Sequence, residues 1–381
     1  MMIKKYFLLL MVIMGVQAVV MAQNKQGLTI AIKSPAKPLL RLPELLSIKW
    51  SDILAKYPSI KQDNFKVLGT DNTEVPFQLE YKGLPEVQNL LLQVSVPAGK
   101  GLKLRIVAGK PQAIAPKVFG RYVPERKDDF AWENDKVAFR MYGKALEGTN
   151  ENAFGIDVWA KRTDQLILNK WYKTGDYHAD HGDGLDYYSV GFTLGAGDIA
   201  PYPDGKIAFP KNYRKWKILD QGPLRFSFEL EYEEWDAAGT TVKVTKRYSL
   251  DAGSQLNRVA ATFSFQNSKG VLPVVAGIVK RKEKGTVSAL TYNGGMLGYW
   301  EPEHGADGIL GIGTIMLSPS RTVVTETHLL QETNAKSGEA VVYYTGAAWN
   351  KAGEFKTADE WFRYLYRFKT TLRAPLKIKI N

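Results

Sequence analysis

The sequence predicts a mainly β protein, a large antiparallel β-sandwich preceded by a small β-rich domain. Three observations predict it. Apolar and polar residues alternate along many short segments, the period of a strand with one buried face. Turn residues such as Ala237-Ala238-Gly239 and Asp251-Ala252-Gly253 separate those segments. Helical windows are few, and repeated alternating strands with short connections imply antiparallel sheets.

Taken in order, Leu28–Ile32, Asn89–Val96 and Leu102–Val107 read as strands, with one short helix over Ser51–Ala55. Pro and Gly punctuate this region at 98, 99, 101 and 109, and a Pro- and Lys-bearing connector follows at Pro111–Lys117. Residues 23–112 therefore form the small domain, and residues 118–381 the large one that carries the site. Longer strands are expected at Val137–Tyr142, Leu224–Tyr232, Val242–Leu250 and Val259–Phe265. One longer helix is expected near the end. Thr357 caps it, Asp359 and Glu360 occupy its first turn, and Trp361, Tyr364, Leu365 and Phe368 share a face. Pro375 stops it, and Leu376–Ile380 alternates as a last strand. There is no internal repeat, heptad or low-complexity tract.

Residues 1–22 read as a secretion signal. Lys4 and Lys5 form a basic start, Tyr6–Val20 is almost wholly apolar, and Val20-Met21-Ala22 offers a cleavage site before Gln23. The apolar run is short for a membrane span, so the expectation is a periplasmic or secreted protein without stable membrane insertion. The 381-residue chain contains no cysteine, which removes disulfides, thiolate metal ligands and cysteine nucleophiles. Its formal charge of +12, lowered by two with the loss of Lys4 and Lys5, favours acidic partners such as uronate glycans. The basic residues are scattered, not massed in an arm, so nucleic acid is not expected. Oligomeric state is left open.

The densest chemistry lies at residues 171–188, which hold two of the four histidines, four aspartates and four tyrosines. Glycines at 175, 182 and 184 argue against a regular helix there. Three roles stay open for this loop. His178 and His181 could be acid and base, since histidine titrates near neutrality. Asp180 and Asp183, with Asp176 and His178, could hold a divalent ion, although Tyr187 stands at the twelfth position where a calcium loop needs glutamate. Both histidines could instead be structural, bonded to neighbouring aspartates. No cofactor is otherwise required.

Around the loop, Trp171, Tyr187 and Tyr188 offer aromatic faces or hydroxyls to a sugar, whereas Trp159 reads as core. Arg140, Arg162 and Lys173 are candidate carboxylate ligands, arginine by its planar fork. A second patch joins Arg281 to His304, which follows Tyr299-Trp300-Glu301-Pro302-Glu303. His328 reads as structural. Phosphate loops, His-Glu-x-x-His and Gly-x-Ser-x-Gly are absent from the sequence, while a glycosidase carboxylate pair has no fixed spacing by which to be recognised.

Several of these stretches resemble an exported Bacteroidetes family known only as a domain of unknown function. They are Trp132-Glu133-Asn134-Asp135 running into Ala138–Gly143, Gly155-Ile156-Asp157-Val158-Trp159, Lys170-Trp171-Tyr172, the Tyr177–Tyr188 block and Leu250-Asp251-Ala252-Gly253. The resemblance covers most of 118–381. It implies a galactose-mutarotase-like supersandwich and a place in uronate-polysaccharide utilisation, with similarity to the ulvan oligosaccharide dehydratase. It carries no catalytic residue over.

Removing water from a terminal uronate means taking the C5 proton and protonating the C4 hydroxyl as it leaves. Such a site needs a cation at the carboxylate (Arg140, Arg162 or Lys173), a base (His178 or His181) and an acid (the other histidine or Tyr188). A lyase on the same polymers, a mutarotase-like epimerase and a non-catalytic glycan-binding protein are the alternatives.

Overall fold

The computed structural model describes residues 27–37, 41–291 and 295–381. The expected secretion signal lies outside these residues. Among the described residues no helix is long and apolar enough to cross a membrane. The chain is built from antiparallel sheets of three, four, four, five and nine strands, as the alternation predicts.

Two of the sheets enclose a small apolar core. The four-stranded one runs in the order Lys377–Ile380, Leu28–Lys33, Gly101–Ala108, Phe65–Leu68. The three-stranded one places Asn89–Val94 between Glu44–Lys49 and Phe77–Glu80. Ile30, Phe65, Leu90, Leu104 and Ile106 are buried between them. Helix α1 (Trp50–Lys56) adds Trp50 and Ile53 to this core. The last strand thus completes the first sheet, with Ile30 opposite Ile380. Gln78 and Arg225 tie this unit to the rest. The Gln78 carboxamide oxygen accepts from the Leu224 and Arg225 amides at 3.0 and 2.7 Å. Arg225 in turn spans Glu80 at 2.8 Å and Asp251 at 2.6 Å.

The large core lies between the nine-stranded sheet and the remaining two. The five-stranded sheet runs Gly184–Leu185, Asp157–Lys161, Ala138–Met141, Asp129–Asn134, Val118–Val123. Trp132 from it meets Phe228 and Tyr248 of the nine-stranded sheet at ring separations of 4.8 and 5.4 Å. Burying each such ring stabilises the fold by about 1.5–3 kcal/mol. The Trp132 indole N–H donates to Asn257 at 2.7 Å, which removes the cost of an unpaired buried donor.

Helix α2 (Leu168–Thr174) overlaps the start of the 171–188 stretch, which the sequence reading takes as entirely irregular. The difference has a simple cause: Gly175 sits past the helix end at φ 71°, where glycine terminates a helix without weakening its interior. Helix α3 (Ala358–Arg373) opens with the expected capping box between Thr357 and Glu360. It lays Trp361, Tyr364 and Leu365 on the outer face of the nine-stranded sheet. Glycine makes that approach feasible, since a Cβ on Gly313 would stand 2.5 Å from a Leu365 methyl.

Candidate active site

Arg140 lies in the strand Ala138–Met141 directly opposite Asp157 of Asp157–Lys161. Cross-strand partners project to the same face, so the pairing places a guanidinium beside a carboxylate, 2.6 Å apart. Asp186, just beyond the strand Gly184–Leu185, reaches the same Nη2 at 3.0 Å. Asp129, from the next strand over, stands 3.8 Å from Nη1. Tyr142 and Trp159 place their rings 5.0 and 5.4 Å from the guanidinium carbon. Arg140 is only 5% exposed, so its charge needs partners, yet three carboxylates surround one cation. Burial pushes the Asp129 carboxyl up to about 7 against the pull of Arg140. Asp157 and Asp186 are also raised, by burial first. The cluster therefore retains a proton near neutral pH.

His178 is set against this cluster by helix α2 and the turn that follows. The Glu133 carboxylate accepts the Ile167 and Leu168 amides, both at 2.9 Å, at the start of the helix. It is itself held by the buried Lys161 ammonium at 2.8 Å. Beyond the helix, the Asp186 amide donates to the Tyr177 carbonyl at 2.7 Å, which folds the loop back on itself. His178 Nδ1 then lies 2.8 Å from the Asp186 carbonyl oxygen. A carbonyl can only accept, so in the neutral ring Nδ1 carries the hydrogen and Nε2 the lone pair. The side chain is 65% exposed, leaving Nε2 accessible.

Arg126, Arg140, Glu151, His178, Asp186 and residues 187–191, Tyr188 among them, share a cavity of about 400 Å³. Buried polar atoms cluster around it. Arg126 Nη1, Arg140 Nε and Nη1, Asp129 Oδ1 and the Tyr188 hydroxyl have no hydrogen-bond partner among the described residues. Buried groups of this kind are rare in folded proteins and mark places where a ligand or water completes the site.

Tyr188 connects the cavity to a second charged group. The Arg281 guanidinium carbon lies 4.6 Å above its ring. Arg281 is anchored to Glu301 at 2.7 Å and donates to the Ser189 carbonyl at 2.6 Å. Burial pushes Glu301 up to about 7, with Arg281 opposing. Burial also holds the Tyr188 hydroxyl well above its usual value, again with Arg281 opposing. His304 stacks on the Tyr187 ring at 5.3 Å and contacts Asp307 at 3.0 Å.

Other residues singled out from the sequence lie elsewhere. His181 does not line the cavity; it is exposed and bonded to Asp176 at 2.9 Å. Arg162, just past the end of the strand Asp157–Lys161, holds the loop to that strand through Asp180 at 2.5 Å and the Gly182 carbonyl at 3.0 Å. Lys173 is exposed on the last turn of α2, outside the cavity. Trp171 is buried against Trp159, ring centroids 5.4 Å apart, so its face is not open to a sugar. Asp183 is paired with Lys170 and Asp180 with Arg162, so the two do not converge on a common point. Among the described residues no three His, Asp or Glu side chains are grouped to hold a metal ion. At the carboxylate cluster the Arg140 guanidinium occupies the position a cation would take. Arg126, Asp129, Asp157 and Glu301 were not singled out as site residues. For Asp157 the one sequence signal is a charge interrupting an otherwise apolar strand, Ile156-Asp157-Val158-Trp159, whereas Arg126 and Asp129 sit in or beside the charged run Glu125-Arg126-Lys127-Asp128.

Comparison with known proteins places the chain. The uncharacterised protein P7 of Formosa agariphila is 33% identical over 283 residues, covering 69% of this chain and 70% of P7. A crystal structure described as a protein in the glycosyl hydrolase family 38, from Enterococcus faecalis, superposes with a TM-score of 0.54 at 7% identity. That match covers 96% of this chain and 50% of the other. An alpha-mannosidase from Enterococcus faecalis V583 gives a TM-score of 0.44 at 6% identity, over 93% and 46%. The chain thus spans about half the length of these solved structures, and at such identity the first likeness concerns the fold alone. The model of the domain of unknown function DUF4861 matches residues 36–378. With nearly the whole described chain inside that match, the protein belongs to the DUF4861 family.

Proposed function

We propose that this protein is an exported acid–base enzyme acting on acidic oligosaccharides, and that it dehydrates a terminal uronate. The observation that carries the reading is the 400 Å³ cavity whose lining combines the exposed imidazole of His178 with Arg126, Arg140 and Tyr188, the last three carrying buried polar atoms without a partner among the described residues. The similarity in fold to a protein of a glycosyl hydrolase family is in keeping with a glycan substrate.

In this reading the unpartnered N–H groups of Arg126 and Arg140 receive the uronate carboxylate. Neutralising that charge acidifies the neighbouring C5–H. His178 Nε2 takes the C5 proton, the electron pair forms the C4=C5 double bond, and the C4–O bond breaks. Tyr188 gives its proton to the departing oxygen, which leaves as water. Arg281 above the ring stabilises the phenolate so formed. The proton on His178 then returns to Tyr188 through solvent, restoring both groups. Arg281 thus acts on Tyr188 in place of the substrate-binding role expected from the sequence.

The test is to incubate the protein with uronate-terminated oligosaccharides and weigh the products. Loss of one water, with absorbance from the conjugated double bond, is expected. His178→Ala should reduce the rate by about 10²–10⁴-fold, the usual contribution of a general base, while His181→Ala should change it little. Chain shortening would reassign the protein as a lyase. Retention of an unchanged glycan would make it a binding protein, and full activity in His178→Ala would rule out the base assigned here.

A further inference from the structure

We infer that the exposed ring of Phe192 forms a second sugar position, stacking the residue that follows the uronate in an oligosaccharide chain. The inference rests on the acidic-glycan reading of the cavity, though not on the dehydration step. Two chain segments line the cavity, 150–153 and 186–191. They meet where the Phe154 amide donates to the Gly191 carbonyl at 3.1 Å, and Phe192 follows directly at that end. Gly191 itself sits at φ 56° with no atom within 4 Å of where a Cβ would be. Gly191 lines the cavity with open space beside its Cα, and Phe192 is the next residue along the chain.

Phe192 is 53% exposed yet held in place. Its ring packs against Phe209 at 4.9 Å and Phe154 at 6.3 Å, so one side is fixed and the other faces solvent. A large apolar ring kept open one residue beyond the cavity-lining Gly191 loses the stabilisation that burial would bring. The C–H face of a pyranose supplies a matching apolar surface, while the sugar hydroxyls stay in water. An open, pre-positioned aromatic face also limits the ordering needed on binding.

Calorimetry on the full chain tests this with two probes, glucuronate and a 4,5-unsaturated uronate disaccharide that has no further water to lose. Phe192→Ala should weaken the disaccharide about tenfold, as expected for losing roughly half the burial of one ring, and leave glucuronate unchanged. Phe192→Leu, which keeps bulk against Phe209, should show the same selective loss, and Phe192→Tyr should retain wild-type affinity. Equal effects on both probes, or no effect on either, would overturn the second position. So would failure of the wild-type protein to bind either probe, which would also remove the acidic-glycan reading. Selective loss in a protein that never releases water would support the second position and sink only the dehydratase.

Discussion

Replacing Asp129 by Asn isolates the strain of placing three carboxylates around one guanidinium. The substitution keeps the shape, and its carbonyl can still accept the Tyr172 hydroxyl, which lies 3.3 Å from Oδ2. Asp129 is fully buried, and its carboxyl moves from an ordinary value of 3.8 to about 7 on folding. The native state therefore holds a proton that the unfolded chain has released. Stability is fullest below about pH 4 and is lost as pH rises through 7, at about 1.36 kcal/mol per pH unit across the interval. The whole loss is about 4 kcal/mol, and about 2 kcal/mol of it falls between pH 5 and 7, where the slope flattens as the native carboxyl begins to ionise. Urea unfolding at pH 5, 6, 7 and 8 measures it. The wild-type protein should lose about 2 kcal/mol more than Asp129→Asn between pH 5 and 7. Parallel stability curves would show that Asp129 is ionised throughout, and its part in holding the cluster's proton would then be refuted.

Other consequences can be checked alongside. Arg281→Met removes the cation above Tyr188 and leaves Glu301 buried without its partner. It should depress kcat far more than KM in the water-loss assay, and an equal effect on both would favour substrate binding by Arg281. Gly313→Val forces a side chain into Leu365 at the docking face of α3, where overpacking typically costs about 1–3 kcal/mol. Thermal melts should show a lower Tm, and an unchanged Tm would mean that the helix is not held at this spacing.

Strands and caps were legible because their causes are local. Period-two alternation marks Arg225–Glu231 and Thr240–Asp251, and Thr357 with Glu360 marks the start of α3. Helix α2 was hidden because its terminal glycine, Gly175, reads in sequence like a glycine inside a loop. The site was legible in part. His178, Arg140 and Tyr188 share the cavity, but His181, Arg162 and Trp171, close by in sequence, serve the loop or the core. Residues next to one another in a folded-back loop point to different sides, and spacing does not tell which side faces the cavity. Asp129, Asp157 and Glu301 depend on cross-strand register and tertiary approach, which no local pattern encodes.

The pairing of Ile30 with Ile380 puts a clock on folding. The strand Leu28–Lys33 is synthesised long before one of its two neighbours, Lys377–Ile380. Until that neighbour arrives, one edge keeps its amides and carbonyls unpaired, a template for any passing strand. Contacts so distant in sequence close slowly. The small sheet is therefore complete only once Lys377–Ile380 has been made, and until then its open edge is exposed to the mispairing that unpaired strands invite.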